Sequence, residues 1–201
     1  MKKELFDKIK KEYGKYASWA VFAEETDKPK SNMGDISILE PDNNPELLKI
    51  LKTNVIMVGL NFSHEVGDQN SFVFKNFHDS SRYAQDYKIR YAFRNTEYYG
   101  AYMTDIIKNY PQKDSNKVAK VLTPDKISEN IEIFKNELKC IETKNPTILC
   151  FGKQVYDILS KNLRKEYYKE LIQITHYSYR IGKEKYKEVV LDEINHSKCT
   201  S

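Results

Sequence analysis

No run of eighteen apolar residues occurs in this chain, so no helix able to span a membrane is expected. The N-terminal stretch MKKELFDKIKKEYGKY is basic but has no continuous apolar core, and a signal peptide is not expected there. Cysteine is scarce. The three present, Cys140, Cys150 and Cys199, are an odd number without C-x-x-C spacing, and Cys150 lies inside an apolar run. A disulfide framework and a zinc site are both disfavoured, and a reducing cytoplasm is the natural compartment. No G-x-G-x-x-G follows any strand-like run, which argues against a dinucleotide-binding Rossmann enzyme. Nor is there a large excess of one charge: 33 basic and 29 acidic residues leave a formal net charge of +4 and a pI near 8.7. That balance is compatible with a phosphate backbone as partner but does not demand one.

What is present is the composition of a globular protein, 40% hydrophobic and 31% charged over 201 residues, enough for a single domain spanning 1–201 with a real core. The chain is organised around Asn54 to His64, NVIMVGLNFSH. Val55 to Val58 is apolar without period-2 alternation, as in a parallel strand buried on both faces. In open α/β sheets ligands sit outside the carboxyl ends of the strands, which directs attention to Gly59 through His64.

Before that strand, residues 4 to 22 read as helical, with Leu5, Ile9 and Tyr13 at four-residue intervals and a short apolar patch from Trp19 to Phe22. Loops follow around Ile36 to Leu39, and Pro45 opens a short helix running to Lys52. From His64 to about Tyr98 the pattern is lost, although the stretch is rich in aromatic residues, among them Phe72, Phe74, Phe77 and Tyr87. Such a connection is functional or holds short helices, and most of its aromatics are expected to pack the loop onto the body. Further strands are expected at Gly100 to Ile107, Pro146 to Gly152 and Leu171 to Ser178. Thr123 and Pro124 announce the helix carrying Ile127, Ile131, Phe134, Leu138 and Ile141, and another helix starts at Lys153. This alternation predicts an α/β fold, three layers α/β/α about a central four-stranded parallel sheet.

Three strand ends carry polar groups: Asn61 with His64, Thr104 with Asp105, and His176 with Ser178. Converging at one rim, they would bring together an amide, a carboxylate and an imidazole. Taken singly, His176 could be a structural hydrogen-bonding residue and Asp105 the cap of a following turn.

These segments resemble the uracil-DNA glycosylase superfamily. Its first motif, G-x-[DN]-P-x, corresponds to Gly59-Leu60-Asn61-Phe62-Ser63-His64, and its H-P-S or H-x-S motif to His176-Tyr177-Ser178. Thr104-Asp105-Ile106-Ile107-Lys108 resembles T-N-V-V-K, and Pro146 to Gly152 resembles P-x-x-I-x-x-x-G, so the likeness covers roughly residues 45 to 185. It implies a DNA glycosylase that hydrolyses the N-glycosidic bond of a damaged or deaminated base in base excision repair. No metal or cofactor is implied, and the partner is DNA, single- or double-stranded, bound by a monomer. By the same resemblance Asn61 orients the attacking water and His176 steadies charge on the departing base. Phe74, with Phe72 and Phe77 as rivals, stacks on the extruded base, and Ser178 with Arg180 holds a phosphate. Gly59, Leu60, Phe62, Ser63, His64 and Asp105 complete the substrate site.

The chain departs from the family pattern at Phe62 and Tyr177, where prolines are usual. It departs again at Asp105, where many members carry the asparagine that reads uracil. An ionised carboxylate only accepts hydrogen bonds, so a base edge rich in N–H donors is expected rather than uracil. The alternative is a non-catalytic protein of the same fold that binds a nucleotide, a nucleic acid or a protein partner.

Overall fold

Strand β2, Lys52–Asn61, forms where the sequence is most continuously apolar, and Val55 through Leu60 are all buried in it. The computed structural model describes residues 1–61, 73–108 and 122–200. Along these, α1 (Lys3–Tyr13) and β1 (Ser18–Trp19) precede α2 (Leu47–Ile50) and β2, and α3 (Tyr87–Phe93) leads to β3 (Ala101–Ile107). Then come α4 (Pro124–Cys140), β4 (Thr147–Phe151), α5 (Lys153–Asn162), β5 (Glu170–Ile174) and α6 (Lys183–Thr200). Helix α4 starts as its sequence announces. Thr123 Oγ1 accepts from the Lys126 N–H at 3.4 Å, and Pro124 supplies the first helical residue.

The sheet order is β1-β3-β2-β4-β5. Strands β2 and β3 are parallel with Gly59 opposite Asp105, β2 and β4 are parallel with Met57 opposite Leu149, and β4 and β5 are parallel with Leu149 opposite Ile172. Strand β1 runs antiparallel to β3, Ser18 against Met103, so the sheet has five strands and is mixed rather than wholly parallel. The expected helix over 4 to 22 therefore stops at Tyr13. The reason is burial: Ala17 through Phe22 are buried without a break, and a surface helix can bury only one stripe. At the other end, β5 stops at Ile174, short of the expected Ser178, and the closing charged segment is the long helix α6.

Alternate residues of the strands feed two cores. Ile56, Val58 and Leu60 face Phe6 and Ile9 of α1, Ile131 and Phe134 of α4 and Val155 of α5. Val55 and Met57 face Ile89 and Phe93 of α3 and Tyr186 and Val190 of α6. Helices thus cover both faces of the sheet. At the carboxyl end of β3 a buried ion pair ties the sheet to α4: Lys108 Nζ lies 2.7 Å from Glu137 Oε2. Glu137 Oε1 in turn accepts from the Tyr102 and Thr104 hydroxyls, each at 2.8 Å.

Removing one partner of a buried pair strands the other in a medium that cannot solvate it. Glu137→Ala is expected to cost about 3–5 kcal/mol in urea unfolding, whereas Lys108→Met combined with Glu137→Leu should recover most of that loss. A double variant as unstable as the single one would show that the charges are not what matters there.

Candidate functional site

The register that sets Gly59 beside Asp105 builds the floor of the site. A Cβ on Gly59 would overlap Asp105 Oδ1, and Phe77 Cζ would lie only 3.3 Å from it. Glycine is thus the residue that leaves room for a carboxylate and a ring tip over one backbone position. Asp105 is only 4% exposed. Its Oδ2 accepts from Asn76 Nδ2 at 2.7 Å, and the same nitrogen donates to the Tyr16 carbonyl, also at 2.7 Å. Burial pushes the Asp105 carboxyl up to about 6, opposed by the Asn76 hydrogen bond and the Lys108 charge.

A second buried acid stands nearby. Asp86, just before α3, accepts the Asp79 N–H on Oδ2 at 2.9 Å, and burial pushes it up to about 7. The charges bearing most on the Tyr177 hydroxyl are those of Asp86 and Asp105, so both acids and this phenol share one neighbourhood.

Across β4, Gly152 ends the strand at φ +90°, a left-handed turn that suits glycine, beside His176. His176 Nδ1 accepts the Ser178 N–H at 3.1 Å and lies 2.9 Å from Ser178 Oγ. A ring nitrogen that accepts from a backbone amide carries no proton, and burial drives the imidazole down to about 4, so at neutral pH its proton sits on Nε2. His176 is therefore a neutral donor. The cleft in front of it, about 550 Å3, is lined by His176, Ser178, Tyr179, Arg180 and Ile181. A second cleft of about 470 Å3, bordered by Lys153, Asp157 and Lys161 on α5, gathers none of the candidate residues.

Of the residues singled out from the sequence, Gly59 and Asp105 are in contact, His176 is linked to them through the rings of Phe77 and Tyr177, and Ser178 and Arg180 line the cleft with His176. Asn61 ends β2 on the same face as Gly59. Phe62, Ser63, His64 and Phe72 lie outside the described residues. Two assignments are corrected. Leu60 points to the opposite face and belongs to the core with Phe6 and Ile131. Phe74 is buried against Phe6, ring centroids 5.6 Å apart, and cannot stack on a ligand at the rim. Its rival Phe77 reaches over Gly59 and packs near Tyr177. Ser178, expected on a phosphate, lies at the cleft with its N–H donated to the imidazole. Sequence reasoning did not single out Asn76 or Asp86, and it noted Tyr177 only as a missing proline; the i to i+2 spacing of His176 and Ser178 was the one local signal of their contact.

No protein-family model, curated protein or solved structure matches the chain. The geometry stands alone. It offers two buried acids, a neutral imidazole donor and a cluster of rings at the carboxyl end of a parallel sheet. Among the described residues no group of three or more metal-ligating side chains is present, and no helix is long and apolar enough to cross a membrane.

The Asp86 carboxyl sets a pH test. With its folded pKa raised to about 7, the folded chain keeps a proton that the unfolded chain has already lost, so its contribution is present at low pH and fades as pH rises through about 7. Asp86→Asn cannot ionise. The melting temperature of the variant minus that of wild type is expected to grow by roughly 4 °C or more between about pH 4 and pH 8. A difference that is flat across that range would place Asp86 in contact with water.

Proposed function

We propose that the rim is a nucleobase pocket and that the protein acts on the N-glycosidic bond of a base in DNA, as a divergent uracil-DNA glycosylase-like enzyme. The observation that carries this reading is the tautomer of His176: with Nδ1 occupied by Ser178, the Nε2–H is the donor available to a base carbonyl. In such a reaction the bond to the sugar stretches toward an oxocarbenium ion, and charge collects on the departing base. A fixed neutral donor stabilises that charge without needing to give up a proton. Support also comes from the four mutually parallel strands β2 to β5 and from the approach of Gly59 to Asp105, which brings two of the motifs of the resemblance side by side. Asn61, an amide, would orient water and not deprotonate it.

Asp105 narrows the choice of base. Both N–H bonds of Asn76 are committed, to Asp105 and to the Tyr16 carbonyl, so the pair turns only acceptor oxygens toward a ligand. A base edge with amino or imino N–H groups fits these; the O4 of uracil does not. One observation favours a second reading, a base-binding protein without hydrolysis: the described part of β2 ends in the amide of Asn61, which cannot take a proton from water.

The test is alkali-induced cleavage of labelled oligonucleotides carrying uracil, hypoxanthine, xanthine, guanine or a mismatched thymine. One base is expected to be released, with His176→Ala slowing release by about 10²–10³-fold and Asn61→Ala also reducing it. Release unaffected by His176→Ala, or uracil released as well as or better than the amino-bearing guanine, would count against this assignment. No release from any oligonucleotide by folded protein would favour the binding protein.

A further inference from the structure

The slot in which a base would stack is already occupied by a ring of this chain. Tyr177 stacks on His176 with centroids 4.3 Å apart and planes 24° from parallel. It stands edge-on to Phe151 at 5.2 Å and 85° and edge-on to Phe77 at 6.3 Å and 69°. The two edge-on spacings fall in the range where aromatic pairs attract beyond simple area burial. Phe77 and Phe151 are buried, while Tyr177 is half-buried and reaches solvent along one side. After burial, the charges of Asp86 and Asp105 act most strongly on its hydroxyl. A planar ring held between aromatic partners, within the influence of two buried acids, takes the place that a nucleobase would occupy there.

The walls are built at a cost in backbone geometry. Phe77 has φ 64° and Phe74 has φ 57°, left-handed values that bulky residues seldom adopt. The segment holding them is tied down by Phe74 N–H to the Gly14 carbonyl at 2.6 Å, by Ser18 Oγ to the Phe74 carbonyl at 2.9 Å and by Asn76 to Tyr16. Tyr177 is held differently. It rides on a single turn closed by the Tyr179 N–H on the His176 carbonyl at 2.9 Å, next to the open cleft. The walls are tied to the body of the fold, and the ring between them stands on the turn beside the cleft, whose Tyr179 carbonyl accepts from Lys88 Nζ at 2.8 Å.

We propose that Tyr177 is an internal plug in a slot for a planar heteroaromatic ligand bearing N–H donors, and that a ligand enters only when this side chain turns out into the cleft. The inference rests on the pocket reading above but not on hydrolysis. Because only the fraction of molecules with the plug out can bind, the apparent affinity of the wild type is reduced by that fraction.

The test uses the full chain with p-cresol, which has the shape of the missing side chain, and with free cytosine and hypoxanthine. Tyr177→Ala is expected to bind p-cresol and at least one base ten times more tightly than wild type, read by calorimetry and by a saturable rise in melting temperature. Tyr177→Phe keeps the plug and should match the wild type with p-cresol. If Tyr177→Ala does not fold, Tyr177→Ser serves in its place, and failure of both to fold would overturn the proposal, because a plug must be removable. Equal binding by wild type and Tyr177→Ala, or no binding by either, would overturn it as well. Binding by the opened variant without base release from any oligonucleotide would leave the slot intact and remove the glycosylase reading alone.

Discussion

A carboxylate taken out of water at the end of a parallel strand is the constraint around which this rim is built. Asp105 can be buried only because Gly59, its partner in register, has no side chain. It is stabilised from two directions. Asn76 supplies an N–H on one side, and on the other Lys108 brings its charge near and donates through Nζ to the Asp105 carbonyl. Lys108 is itself buried and is balanced by Glu137, which gathers the Tyr102 and Thr104 hydroxyls. A chain of polar contacts therefore runs from the site, around the end of β3, to helix α4 on the opposite face of the sheet. In a low dielectric each member needs the next, since an unpaired buried charge costs far more than the pair gains.

The loop that carries Asn76 and Phe77 depends on the segment between α1 and β3. Gly14, Tyr16, Ser18 and Trp19 each meet a residue of 74–78: Phe74 through Gly14 and Ser18, Asn76 through Tyr16, and His78 Nε2 at 3.3 Å from the Trp19 carbonyl. Two strand residues, Ser18 and Trp19, look negligible as a sheet edge. Their importance lies on the other side, where the same stretch of backbone serves as the rail along which the loop is laid. Left-handed phenylalanines persist there because the surrounding hydrogen bonds overdetermine the path.

The strands were legible because a strand buried on both faces must be a nearly unbroken apolar run, and Val55 to Val58, Ala101 to Ile107 and Thr147 to Phe151 are such runs. Helix α4 was legible because Thr123 and Pro124 satisfy its first turn by chemistry that depends on sequence alone. Strand β1 was not, since two residues carry no periodicity and the apolar patch around Trp19 extends a plausible helix. The choice between Phe74 and Phe77 was beyond reach for a different reason. Both have φ near +60° and both are buried, and nothing in the spacing of two phenylalanines says which one faces α1 and which one faces Gly59. Asp86 was invisible because burial of an acid is set by what covers it, here residues distant in the chain. Tyr177 could be seen only as a departure from a pattern, not as a ring with three aromatic neighbours.

That last departure bears on how the site would work. In hydrolysis through an oxocarbenium-like transition state, water attacks late and needs orientation more than deprotonation, so an amide at Asn61 is a smaller handicap than it would be in acyl transfer. The larger demand is on the leaving base, whose developing charge must be met by a donor that is already in place. Under the proposed reading His176 would meet it through Nε2, since Ser178 N–H donates to Nδ1 and Tyr177 stacks on the imidazole. One ring then serves two ends. While it is in the slot it keeps the imidazole aligned and the acids covered; when it leaves, a base would inherit the same partners, the face of His176, the edges of Phe77 and Phe151, and the acceptors on Asp105. Turning the ring out costs affinity, but the partners it leaves behind would already be in place for the base, and such preorganisation is where an electrostatic catalyst gains most of its advantage.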